Sequence, residues 1–149
     1  MKQKLYLDTS VLSAYYDNEK IERQELTKEF WKILENYEIY ISTIVIKELE
    51  QTKDNELKSN FLNLVEGFKK LEISDEATAL GDKYLENKIF PERFADDAYH
   101  TAVASVNNID YLVSWNFKHL VKIKTRRLVN LVNLQNGYKS IEIIAPPEL

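Results

Sequence analysis

The chain has 149 residues and no cysteine, which fits one domain and excludes both a disulfide framework and a thiolate metal site. Its net charge is −4, with 24 acidic against 20 basic side chains, which excludes a uniformly basic nucleic-acid binder. No apolar run approaches the ~20 residues of a membrane span, and the start turns polar at Asp8, too soon for a signal peptide, so a soluble, cytoplasmic protein with no membrane contact is expected.

In chain order, Lys4–Leu7 predicts a short strand that ends at Asp8. Thr9 or Ser10 then caps a short helix to about Tyr16. A helix over about 21–36 places Leu26, Phe30, Ile33, Leu34 and Tyr37 on one face. Ile39–Ile41 reads as a second strand, and Ser42 or Thr43 caps a helix that turns Val45, Ile46 and Leu49 inward. A further helix over about 55–68 carries Phe61, Leu62, Leu64 and Val65, and Leu71–Ile73 reads as a third strand.

Ser74 followed by Asp75 and Glu76 starts a helix that ends before Pro91. Residues 96–107 predict a helix whose Ala98, Ala102 and Ala104 permit close packing. Tyr111–Ser114 is an apolar strand of the buried, parallel type. A basic helix ends at Asn136-Gly137, where glycine supplies a left-handed cap, and Ile141–Ile144 is the last strand. Strands alternating with helices predict an α/β fold with a mostly parallel sheet in a single domain over residues 1–149. Sites in such sheets form beyond the carboxyl ends of strands, which singles out Asp8 and Asn116.

Three carboxylates carry the candidate chemistry. Asp8 ends a strand and also suits a helix cap. Glu48 lies on an amphipathic helix, where a solvated surface role is the plain alternative. Asp97 sits in a first helical turn, where it also complements the helix dipole, and Asp96 competes for the same role. Carboxylates gathered at one strand-end cleft repel: two unit charges 4 Å apart cost about 4 kcal/mol at an effective dielectric of 20. A divalent cation removes that cost, and all-oxygen ligands select Mg²⁺ or Mn²⁺. Ions held this way typically serve phosphoryl chemistry.

At these residues the sequence resembles the PIN-domain family. LYLDTSVLSAYY resembles the opening of PIN domains, with Asp8 their first acid. STIVIKELE resembles the second motif and puts the second acid at Glu48; DDAYHTAVASVNNIDYLVSWNFKHL resembles the third and fourth, with Asp97 the third acid. The ending GYKSIEIIAPPEL resembles one bacterial subgroup. The resemblance implies a three-layer α/β/α sandwich, Mg²⁺- or Mn²⁺-dependent ribonuclease activity, frequent homodimerisation and, as in VapC-like toxins, RNA as substrate and inhibition by an antitoxin protein. Asp8, Glu48 and Asp97 would bind the metal. One position departs: where the family's fourth motif ends in Asp, Ser114-Trp115-Asn116 supplies an amide, so Asn116 would act as an outer ligand or water-positioner and a second metal is in doubt. Asp110 could stand in, but a structural role is favoured, because it starts the strand that Ser114 ends and should face the opposite edge of the sheet.

Around this core stand candidate substrate contacts. Ser114 either bonds Asp8 or a metal water, or is a buried, satisfied hydroxyl. Trp115 and Phe117 flank Asn116 and suit base stacking; core packing is the alternative, favoured for Phe117. His100 is expected to be a packed helical histidine and His119 to be exposed. From Tyr111 to Ser140 there is no acidic residue, while Lys118, Lys122, Lys124, Arg126, Arg127 and Lys139 all fall there, which points to phosphate contact rather than a merely solvated face. The competing readings are a PIN-fold RNA-binding module made catalytically weak by Asn116, and a small-molecule phosphatase. The phosphatase ranks last because Ser10 stands where a second Asp is expected, two residues after Asp8.

Overall fold

The computed structural model describes residues 1–149. Five strands, β1 (Lys4–Leu7), β2 (Glu38–Ser42), β3 (Lys69–Leu71), β4 (Tyr111–Val113) and β5 (Glu142–Ile144), form one sheet in the order β3-β2-β1-β4-β5. Every pairing is parallel. Leu5, Tyr6 and Leu7 of the central strand have no exposed surface, as expected for a strand covered on both faces.

Seven helices connect and cover the strands: α1 (Thr9–Tyr15), α2 (Ile21–Trp31), α3 (Thr43–Glu50), α4 (Asn55–Leu64), α5 (Asp75–Glu86), α6 (Ala95–Val106) and α7 (Ile123–Gln135). From β1 the chain steps outward to β2 and β3, then returns past β1 to β4 and β5. Parallel crossovers are right-handed, so this reversal puts α1–α4 on one face and α5–α7 on the other. The contacts agree: α1 packs on α2, α3 and α4, while α5 packs on α6 and α7. The result is the three-layer α/β/α sandwich. α5 and α6 pack closely at Gly81, where an added Cβ would lie 2.4 Å from the Tyr99 ring of α6. No helix is long and apolar enough to cross a membrane.

Several boundaries differ from the sequence expectation. Asp8 itself caps α1, accepting from the Ser10 amide at 3.0 Å, so neither Thr9 nor Ser10 is the cap. Ser42, not Thr43, caps α3. α2 stops at Trp31, and a 3-10 turn over Leu34–Asn36 follows. Its predicted apolar face is only partly real: Phe30 is buried but Leu26 is exposed. α4 stops at Leu64, and the third strand is Lys69–Leu71 rather than Leu71–Ile73. An edge strand needs only one covered face, and lysines at the edge deter pairing with other chains. Gly137 has φ +82 just past α7, the left-handed conformation that its place in the sequence predicts.

Candidate active site

The chain order reverses between β1 and β4, and a doubly wound sheet opens a crevice at such a switch point. Leu7 and Val113 are paired neighbours there, so the next residues, Asp8 and Ser114, meet at the crevice floor. Ser114 Oγ donates to Asp8 Oδ2 at 2.7 Å. Ser10 donates its hydroxyl to the other carboxylate oxygen, and the same hydroxyl accepts from the Trp115 amide at 2.9 Å. Asp8, 4% exposed, is thus held from both sides. Burial pushes its carboxyl up; the His100 charge and the two hydroxyls act against that, and burial prevails.

Glu48 comes from α3, at the carboxyl end of β2. Its Oε1 accepts from Thr9 Oγ1 at 2.9 Å and meets His100 Nε2 at 2.8 Å. The other His100 nitrogen, Nδ1, lies 2.6 Å from the Tyr6 hydroxyl, which in turn meets Ser42 Oγ at 2.6 Å. A buried polar chain therefore runs from the core of β1 to the carboxylate. Burial pushes Glu48 up, but the hydrogen bond and charge of His100, with the Thr9 bond, bring it below the usual range. Burial likewise pushes His100 down, and the Glu48 bond with the charges of Asp8, Glu48 and Asp97 raises it overall.

Asp97 projects from the first turn of α6, and Asn116 Nδ2 donates to its Oδ2 at 3.3 Å. Asn116 is itself fixed: its Oδ1 accepts from the His119 amide at 2.9 Å, and its own amide donates to Ser114 Oγ at 2.9 Å. The Asp97 carboxyl is pushed up to about 6 by burial first, then by Asp8, with Glu48 and Asp96 adding and His100 opposing. Such a shift marks a carboxyl surrounded by its own kind.

These groups suit a hard divalent cation in chemistry: their acidic donors are oxygens only, and their mutual repulsion falls on Asp97. As the side chains stand, no three acidic or histidine groups converge closely enough to encage an ion. The reason is visible in the bonds: Glu48 is drawn to His100 and Thr9, and Asp8 to Ser10 and Ser114. By donor type Asp8, Glu48 and Asp97 suit such an ion, and enclosing it would require these side chains to turn toward one another.

Asp110 does face the opposite edge, accepting from the Lys4 amide at 2.8 Å and from Lys139 Nζ at 3.0 Å. Asp96 lies beside Glu48 in a groove of about 650 Å³ that also takes in Lys47 and Lys70. The basic segment divides. Lys118 and Lys122, with Lys124, Lys88 and His119, line a cleft of about 690 Å³. Arg126 and Arg127 do not line it; Arg126 Nη1 donates to the Ile143 carbonyl at 3.2 Å, tying α7 to β5. Lys122 and Arg126 are one turn apart, but the Arg126 side chain reaches a carbonyl of the sheet instead of the cleft.

The two aromatic expectations exchange places. Trp115 is 7% exposed, with its indole N–H donating to Thr27 Oγ1 at 2.9 Å, so it is fastened in the core. Phe117 is 49% exposed. His119 is half-buried rather than exposed, its ring centroid 4.3 Å from that of Phe94. The sequence assigns no site role to Tyr6, Thr9 or Arg23, and names Ser10 only as a cap and against a phosphatase. Ser10 had a signal, a hydroxyl two residues after a strand-end acid, where it can bond that acid. Arg23 had none, since it lies in an acid-rich helix far from the basic run.

Comparison with known proteins agrees with this fold. The PIN domain family profile matches residues 5–119. No curated protein sequence matches the chain. Among solved structures, VapBC2 from Rickettsia felis bound to a DNA fragment from its promoter superposes with a TM-score of 0.61 at 16% identity, covering 96% of this chain and 98% of that one. Mycobacterium tuberculosis VapC20, a sarcin–ricin loop cleaving toxin, gives 0.61 at 15% identity over 77% and 92% of the two chains. VapBC-1 from nontypeable Haemophilus influenzae gives 0.60 at 16% identity over 97% and 98%. At these identities the likeness is one of fold.

Proposed function

The chain belongs to the PIN-domain family, and from that premise we propose that it is a Mg²⁺- or Mn²⁺-dependent endoribonuclease, hydrolysing RNA phosphodiesters in the cytoplasm as the toxin of a toxin–antitoxin pair. The observation that carries this reading is the bonded set at the strand-end crevice: Ser114 bonds Asp8 and Asn116, Asn116 bonds Asp97, and Thr9, next to Asp8, bonds Glu48. Burial and the Asp8 charge push the Asp97 carboxyl up, as expected for acids gathered from distant parts of the chain. A structure does not concentrate acids in this way for stability, because their repulsion opposes folding. The fold neighbours in toxin–antitoxin complexes, and one described as a toxin that cleaves the sarcin–ricin loop, support the assignment to RNA and to an antitoxin partner. A homodimer is the assembly the family suggests.

Asp8, Glu48 and Asp97 would hold the ion. When bound, it stabilises charge developing on the phosphate oxygens and lowers the pKa of water. The chain's own residues do the rest. Ser10 and Ser114 fix the Asp8 carboxylate in one rotamer. Thr9 and His100 fix Glu48, with Tyr6 and Ser42 orienting the imidazole from behind. Asn116 orients Asp97 through its amide without adding charge, and suits holding an attacking water in line. Without the ion the Asp97 carboxyl is pushed up to about 6, so binding the ion would draw off the proton it holds below that pH.

A second reading, a PIN-fold module that binds RNA with weak cleavage, is favoured by one specific feature: Asn116 leaves the centre with three acids. The deciding experiment incubates purified protein with total RNA in Mn²⁺, Mg²⁺ or EDTA and sequences the new ends. Discrete ends that depend on the ion support the nuclease; retention of RNA without new ends supports the module.

A further inference from the structure

The cations of the 118–124 segment are not the only ones beside the candidate centre. A separate pocket of about 410 Å³ is lined by Ser10, Asp17, Lys20, Arg23, Trp115 and Asn116. It shares no residue with the 690 Å³ lysine cleft. One loop feeds both: Trp115 and Asn116 face the first, and Lys118 and His119 the second. Asn116, which orients Asp97, therefore stands at the junction.

Arg23 is an unusual cation for an acidic protein. The chain's four ion pairs involve Lys32, Lys69, His100 and Lys139, so Arg23 and Lys20 have no carboxylate partner. The Arg23 guanidinium instead lies 4.9 Å from the Trp115 ring centroid and 6.0 Å from that of Phe117. Trp115 cannot turn away, because its N–H is bonded to Thr27, whose hydroxyl is bonded to the Arg23 carbonyl at 2.7 Å. A guanidinium already held near aromatic rings loses little entropy when its edge takes a bidentate anion. Phe117, 49% exposed and 6.1 Å from the Trp115 ring, stands outside the pocket lining with part of its ring open to solvent.

We propose that this pocket is a nucleotide subsite for single-stranded RNA, with Arg23 clamping a backbone phosphate and Phe117 stacking an unpaired base. The strand then continues across Asn116 and Asp97 into the lysine cleft, so that the scissile phosphate is gripped from both directions. This rests on the ribonuclease reading and adds the substrate's form to it. An unpaired base is needed to use Phe117, and a duplex keeps its bases stacked inside. An acidic peptide could use the two cations but has no ring for Phe117.

The test is fluorescence anisotropy with a labelled, unstructured RNA 12-mer and its 12-base-pair duplex, in EDTA so that neither is cut, across a salt series. The wild type should prefer the single strand. Arg23→Gln should weaken its binding about tenfold and lower the salt slope of log affinity by ~0.7, one phosphate's share. Arg23→Lys should restore the slope but not the full affinity, because a lysine neither stacks nor forks. Phe117→Ala should weaken binding about tenfold with the slope unchanged; its ring is half exposed, and an unchanged melting temperature separates lost stacking from lost fold. If the wild type binds RNA while Arg23→Gln and Phe117→Ala match it in affinity and slope, the subsite is wrong and the ribonuclease reading stands. A wild type that binds neither RNA overturns both.

Discussion

The side-chain amide of Asn116 donates to the Asp97 carboxylate at 3.3 Å, across the mouth of the crevice between β1 and β4. An amide there steadies a crowded acid without increasing the repulsion around it. Replacing it reverses that balance. Asn116→Asp should tighten Mn²⁺ binding or add a second bound ion, and should destabilise the metal-free protein by setting one more anion beside Asp97. Calorimetry reads both; unchanged stoichiometry and affinity would place Asn116 outside any metal site.

Asp8→Asn should lower cleavage on the order of a hundredfold or more, since it removes one of three anions that would hold the ion. The fold should survive. Asn caps helices about as well as Asp, and the Ser10 amide can still donate to its oxygen. The cost is at Oδ2, where Ser114 Oγ would meet an amide and must turn. Circular dichroism with a cleavage assay separates the two effects; near-normal cleavage by a folded Asp8→Asn would remove Asp8 from the chemistry.

The pH dependence of stability follows from Asp97. Its carboxyl is raised to about 6 from an ordinary 3.8, so the folded protein binds this proton more tightly than the unfolded chain does. The stabilisation is therefore complete below about pH 4 and lost as pH rises through about 6. His100, also raised, loses its contribution in the same direction as it deprotonates above its ordinary 6.5. In EDTA the melting temperature should fall between pH 5 and pH 8, and Asp97→Asn should flatten that fall. After discounting for partial exposure, the gain from Asp97→Asn at pH 8 should be on the order of 1–2 kcal/mol. A variant that melts with the wild-type pH profile would show that Asp97 is not the strained acid.

Reversing Lys118 and Lys122 to Glu should weaken RNA binding with little sequence preference and lower the salt slope by about 1.4, at ~0.7 per phosphate contact. Metal affinity should change little if these charges lie beyond the screening length of roughly 8 Å at physiological salt. Arg126→Glu should behave differently. Its guanidinium holds the Ile143 carbonyl, so its loss should lower thermal stability more than affinity. If the lysine pair can be reversed without effect on RNA, the segment serves the antitoxin or solvent instead.

Much of this architecture was legible in the sequence because it depends on local rules. Apolar runs at Leu5–Leu7 and Tyr111–Val113 mark buried parallel strands, and Gly137 marks a helix end that only a residue at ease with positive φ can make. A strand-end acid such as Asp8 is readable because strand ends in a parallel sheet are where clefts open. The third strand lies at Lys69–Leu71, two residues before the apolar run, because an edge strand has no continuous apolar signature. Trp115 and Phe117 could not be told apart by position; which ring enters the core depends on Thr27, a partner 88 residues away that is ready to accept the indole N–H. Only the tertiary structure decided that His100 would close on Glu48 from a helix 52 residues downstream, and that Arg23, from an acid-rich helix, would come to rest on Trp115 beside Asn116. Such relationships join faces of different helices, and periodicity within one segment carries no information about which other segment it will meet.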